Sequence, residues 1–131
     1  MLTSCTERRI MIVVDYKDTR PIYEQVVERF QNLILTGALA VDEQLPSVRS
    51  LAMELSINPN TIQKAYSELE RRGFIYTVKG KGNFVTYKEE LMEYKKKELK
   101  KKIDDVVEEA REVGIAKTTI IYYLQNGGES L

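Results

Sequence analysis

Two short helical patterns meeting at Ser56-Ile57-Asn58, followed at once by a glycine-rich hairpin pattern, constrain this chain more than any other feature. Ser47 is a natural N-cap, and Val48, Leu51, Ala52 and Leu55 form an apolar stripe of about two turns. After the interruption, Asn58 can cap a second helix with Pro59 at its first position, where the missing N–H costs nothing. That helix runs through Thr61, Ile62, Ala65, Tyr66 and Leu69 to Arg72, and Gly73 ends it. Two helices across so short a turn, the second opening on short polar side chains, form a helix-turn-helix pattern. In that arrangement the second helix enters a DNA major groove and its first residues reach base edges.

Beyond Gly73 the periodicity changes. Phe74-Ile75-Tyr76-Thr77-Val78 and Asn83-Phe84-Val85-Thr86-Tyr87 are β-branched and aromatic, and Lys79-Gly80-Lys81-Gly82 between them supplies the positive-φ positions of a tight hairpin. A helix-turn-helix followed by a hairpin is a winged helix. The wing tip offers two lysines and two glycines, so charge and backbone N–H groups can both approach a phosphate.

Upstream, residues 1–10 are expected to be a disordered extension, and either Met1 or Met11 can be the native start. The apolar run Ile10–Val14 is too short for a signal segment or a membrane span, and Asp15–Arg20 is a polar turn. Pro21 suits the start of a helix in which Ile22, Val26, Phe30, Leu33 and Ile34 recur at helical spacing, with Glu24, Glu28 and Arg29 opposite and Gly37 closing it. Residues 37–46 are expected to be a loop.

From Lys88 the composition shifts to Lys, Glu, Leu and Val without Pro. Leu99, Ile103, Val106, Ala110 and Val113 are spaced as a heptad-like seam, although Lys96 interrupts it one turn earlier. The lysine-rich stretch Lys95–Lys102 is expected to be a solvated helix face. Gly114 stops this helix, and a short last one follows with Ala116, Ile120, Tyr123 and Leu124 on one side. Two such helices cannot bury both faces alone, and the simplest partner is a second copy of the chain. The expected dimerisation residues are Leu99, Ile103, Val106, Ala110, Val113, Ile120 and Leu124. The fold class expected is therefore mainly α with a small β-hairpin: a winged helix-turn-helix domain over 11–87 and a helical dimerisation tail over 88–131.

Composition narrows the chemistry. The 131 residues include no His and one Cys, Cys5, which removes the commonest general base, the commonest zinc ligand and any internal disulfide. No catalytic residue, metal or cofactor is expected; Asp104-Asp105 and Glu108-Glu109 are explained by a solvated helix face. The chain reads as intracellular, hence cytoplasmic. Net charge is zero, yet residues 44–86 carry six basic residues (Arg49, Lys64, Arg71, Arg72, Lys79, Lys81) against three acids (Glu54, Glu68, Glu70), a local balance of +3.

The run from Gly37 to Val85 resembles the winged-helix DNA-binding domain of GntR-family bacterial transcriptional regulators. The likeness is carried by Leu45-Pro46-Ser47-x-Arg49-x-Leu51-Ala52, Asn58-Pro59-x-Thr61, Ala65-Tyr66, Leu69-Glu70 and Gly80-x-Gly82-x-Phe84-Val85. Pro21-Ile22-Tyr23-Glu24-Gln25 resembles that family's opening helix, so about half the chain is covered. The two-helix tail is similar to the YtrA-like subfamily, whose members dimerise through it and lack a large effector domain. With roughly 45 tail residues, no such domain is expected here. Two departures concern geometry: Val41-Asp42 stands where the family usually has Pro-Gly, and the last helix opens on Ala116-Lys117 without a Ser or Asp cap.

By this resemblance Arg49 contacts DNA, and a guanidinium fork there can grip phosphate or guanine; the alternative is a salt bridge to Glu54 or a neighbouring acid. Asn58 and Thr61 are expected to bind phosphates at the helix N-terminus, while Asn60, Gln63 and Lys64 are better placed for base edges. Ser47 caps its helix and is a candidate phosphate ligand, and Lys79, Lys81 and Gly82 are expected at the minor groove or its flanking phosphates. Gly80-x-Gly82 does not lie between a strand and a helix, so it is not a nucleotide-binding loop. The expected function is a homodimeric, sequence-specific repressor on a palindromic double-stranded DNA operator, which the resemblance places near a transporter-type operon and its own gene. The alternative is a winged-helix protein-interaction module. A small-molecule effector stays open: Tyr94, Tyr122 or Tyr123 could line a pocket, but few residues remain to enclose one.

Overall fold

The structure is a computed structural model and describes residues 12–128. The chain divides after Leu91 into two compact units. Residues 1–10, expected to be a disordered extension, lie outside the described residues. The described part of the apolar run, Ile12–Val14, is irregular chain, and Ile12 is buried in the core.

In the first unit, α1 (Ile22–Leu35) buries Val26, Val27, Phe30 and Ile34, the stripe its helical spacing dictates. Pro21 sits at the N-cap, and Gly37 follows the C-terminus with a φ of 79°. Two buried glutamines share this face. The Gln25 amide accepts from the Asp15 N–H at 2.9 Å and donates to the Asp15 and Arg20 carbonyls, which fixes the turn ahead of the helix. The Gln31 Oε1 accepts from Arg72 at 2.7 Å. A buried polar group without such partners would be destabilising, so each glutamine pins a specific neighbour.

α2 (Val48–Leu55) is capped by Ser47, whose Oγ accepts from the Ser50 N–H at 3.0 Å. It ends on Ser56 in the left-handed conformation, with a φ of 54°, and the chain turns directly into α3. α3 (Pro59–Arg71) is capped by Asn58, whose Oδ1 accepts from the Asn60 N–H at 2.8 Å. Its inner face, Ile62, Ala65, Tyr66 and Leu69, packs against α1, α2 and the strand that follows. The Tyr66 ring meets Phe30 edge-on at 5.7 Å, and its hydroxyl donates to the Pro46 carbonyl at 2.7 Å. Burial pushes that phenol's pKa above its ordinary value.

The hairpin pairs β1 (Ile75–Val78) with β2 (Gly82–Val85), in register Ile75↔Val85 through Val78↔Gly82. Both strands are shorter than the β-branched runs imply. The loop over 37–46 contributes a third extended segment: Gln44 bridges Phe84, the Leu45 N–H donates to the Asn83 carbonyl, and the Val85 N–H donates to the Glu43 carbonyl, both at 2.9 Å. The segment has no alternating apolar pattern, so periodicity alone could not reveal it.

In the second unit, α4 (Glu89–Glu112), which opens in the last residues of the first unit, and α5 (Lys117–Gln125) contain no buried residue. Gly114 follows α4 with a φ of 83°, and Ala116 caps α5 without any side-chain bond, as its chemistry requires. Leu91, at the beginning of α4, packs on the core of the first unit.

Candidate nucleic-acid interface

The sequence-derived DNA-contact residues lie at three places in the first unit: the start of α2, the start of α3 and the hairpin tip. Ser47 and Arg49 are exposed at the first. Arg49 forms no ion pair with Glu54 or with any other described residue, so its guanidinium is available to an outside partner. Asn58 and Asn60 are exposed at the start of α3, with Thr61 half-buried beside them.

Asn60, Gln63 and Ser67 follow one another at helical spacing on the face of α3 opposite its buried residues. Gln63 Nε2 donates to Ser67 Oγ at 3.3 Å, a long and exposed bond that a competing base edge can displace. Lys64 is placed differently from its neighbours. Its ammonium lies over the Tyr23 ring, 4.0 Å from the centroid, so a side chain expected at a guanine is held against α1 in the free protein. Tyr23 was absent from the sequence-derived site. An aromatic residue in the opening helix has an ordinary packing explanation, and nothing local signals its proximity to Lys64.

At the hairpin, Lys79 and Lys81 are exposed, and Gly80 and Gly82 have φ values of 79° and 125°. The turn closes through the Lys81 N–H to the Val78 carbonyl at 2.9 Å. Behind it Tyr76 and Phe84 stack at 5.6 Å, and the Tyr76 hydroxyl donates to Asp42 Oδ1 at 2.8 Å.

The charge distribution separates structural cations from available ones. Arg71 and Arg72 both bond to Glu68, which holds that carboxyl down at about 2 through hydrogen bonds to Arg71 and then Arg72. Arg49, Lys64, Lys79 and Lys81 have no carboxylate partner among the described residues. The local positive balance is thus concentrated on side chains from the three places expected to meet DNA, where it can act on a polyanion. Among the described residues no group of His, Cys, Asp and Glu could hold a metal ion, and no helix is long and apolar enough to cross a membrane.

In the second unit, most of the expected dimerisation residues are uncovered. Ile103 is 62% exposed, Val106 60%, Val113 72% and Leu124 70%, Leu99 is also exposed, and Ala110 and Ile120 are half-buried. Tyr94 and Tyr122 are exposed and Tyr123 half-buried.

The model of the family described as "Bacterial regulatory proteins, gntR family" matches residues 22–85, from α1 to the end of β2. The HTH-type transcriptional repressor YtrA of Bacillus subtilis (strain 168) is 38% identical over 107 residues, 80% of this chain and 82% of that protein. A GntR family transcriptional regulator from Listeria monocytogenes superimposes with a TM-score of 0.71 at 37% identity, over 83% of this chain and 96% of that one. A crystal structure of AraR(DBD) in complex with operator ORE1 matches with a TM-score of 0.50 at 29% identity, over 58% of this chain and 93% of that one. The match to YtrA and to the Listeria regulator extends past the winged helix into the tail, and with it the chain belongs to the GntR family of bacterial regulatory proteins.

Proposed function

We propose that this DNA-binding transcription regulator is a homodimeric repressor that reads a palindromic operator. One observation carries the reading: four cations without carboxylate partners and a row of short polar side chains project from a winged helix-turn-helix. In this reading Ser47, Asn58 and Thr61 bind phosphates beside the N-termini of α2 and α3. Asn60 and Gln63 address base edges, where a planar amide can bond adenine bidentately. Arg49 grips phosphate or guanine. Lys64 leaves Tyr23 for the groove, and Lys79, Lys81 and Gly82 meet the minor groove or its flanking phosphates.

The uncovered seam on α4 and α5 supports association of two tails, since apolar surface left in water is lost stability that a second copy would recover. A two-fold dimer would set its recognition helices about 34–36 Å apart, one turn of duplex, or a little more. Repression, rather than activation, is named for the Bacillus relative. The proposed target is an operon of transporter type, including the regulator's own gene, and the proposed location is the cytoplasm.

Gel-shift titration on the DNA upstream of the gene tests the reading, repeated over a range of salt. Each phosphate contact should contribute about −0.9 to the slope of log affinity against log salt. A shallow slope on the best-bound sequence, or equal affinity for unrelated DNA, would overturn it.

A further inference from the structure

Gln44 lies in the loop between α1 and α2, outside every motif that points to DNA. Its backbone bridges Phe84 of β2, and its side chain reaches on along the hairpin, where Nε2 donates to the Lys81 carbonyl at 2.8 Å. Lys81 is thereby held at both backbone polar groups, because its N–H is already bonded to the Val78 carbonyl at 2.9 Å. The approach requires the residue after Lys81 to lack a side chain. A Cβ on Gly82 would stand 2.8 Å from Gln44 Nε2, and the φ of 125° there is one that side chains rarely adopt.

The other end of this contact leads to the helix-turn-helix. Gln44 precedes buried Leu45, Pro46 whose carbonyl accepts from Tyr66, and Ser47, the cap of α2. One exposed amide therefore ties the tip of the wing to the segment that sets the start of α2. An exposed hydrogen bond contributes little to global stability, so its main effect falls on where Lys81 stands.

We propose that Gln44 is a positioning residue for DNA binding: it touches no DNA itself and holds the wing's Lys81 at a fixed offset from the N-terminus of α2. The inference rests on the DNA reading above for its consequence. The clamp itself can be measured without DNA.

The test uses the full chain carrying Gln44→Met, which keeps the length of the side chain and removes the N–H donor. In the free protein, the carbonyl carbon-13 resonance of Lys81 should move upfield, as that of a carbonyl losing its hydrogen-bond donor does, while the melting temperature is unchanged. On the operator, affinity should fall about three- to tenfold, the range expected when the Lys81 contact to a phosphate is weakened, and the salt slope should shrink by up to about 0.9. In a Lys81→Ala background the same substitution should cost nothing further, which a general loss of stability would not produce. An unchanged Lys81 carbonyl resonance, or fully additive losses in the double variant, would overturn the proposal. A wild-type chain that ignores every operator sequence would overturn the DNA reading instead, and the carbonyl resonance would still decide whether the clamp exists.

Discussion

The Tyr76 hydroxyl donates to Asp42 Oδ1 at 2.8 Å, and Asp42 is one of only two non-glycine residues with positive φ among those described. The pair joins β1 to the loop before α2. It also answers the departure from the family pattern: where Gly is usual, this chain places Asp at a φ of 69°, ties its N–H to the Val85 carbonyl at 2.7 Å and uses its carboxylate as an acceptor. Asp is among the few side chains that enter the left-handed region readily.

Asp42→Ala should therefore destabilise the domain by about 1 kcal/mol through the left-handed backbone alone, whereas Asp42→Asn should stay close to wild type. Chemical denaturation separates them. The same bond raises the Tyr76 pKa, chiefly through the hydrogen bond to Asp42. Its contribution to stability is complete below the ordinary phenol value of about 10 and is lost as the pH rises through the higher folded value. Ultraviolet titration of Asp42→Ala should show one tyrosine ionising at lower pH than in wild type.

Glu68 makes a prediction at the acid end. Its pKa is lowered from 4.5 to about 2 by Arg71 and Arg72, so the stability it contributes is present above 4.5 and is lost as the pH falls toward 2. In Glu68→Gln the acid-unfolding curve should be flatter across that window, measured by circular dichroism against pH. An acid limb identical to wild type would show that the ion pairs contribute nothing.

Tyr66→Phe removes the donor to the Pro46 carbonyl while keeping the ring against Phe30. A loss of about 1–1.5 kcal/mol is expected from one buried hydrogen bond. Heteronuclear spectra should show the disturbance centred on Pro46 and Ser47.

Ile103→Glu places a charge in the uncovered seam of α4, where the side chain is 62% exposed. In a dimer this position would be covered, and sedimentation should show the variant dissociating to single chains with an intact winged-helix spectrum. Operator affinity should fall with the dimer, since the half-sites would then be bound independently. A variant with unchanged mass would remove this face from the interface.

Much of the head was legible because its signals are local. Ser47 and Asn58 announce their caps by side-chain chemistry, and the glycines of Lys79-Gly80-Lys81-Gly82 announce the turn by the φ values they permit. Gln25, Gln31 and Gln44 were not legible. Each acts on a backbone or side chain brought near by the fold, 10, 41 and 37 residues away, and a glutamine carries no periodic or capping signature. Lys64 shows the same limit from the other side: its position on α3 is plain from sequence, while its resting place over Tyr23 depends on how α1 crosses α3.

The helix proposed to read DNA is also the one around which the first unit is packed, since α1, α2 and β1 all rest on α3. Its two faces carry separate duties on a single backbone. Ile62, Ala65, Tyr66 and Leu69 determine whether the domain folds, while Asn60 and Gln63 are free of that task. Sequence preference can then drift, or be redesigned, at the outer positions with almost no penalty in folding. A duplicated gene of this type could acquire a new operator by substitutions its core would never register.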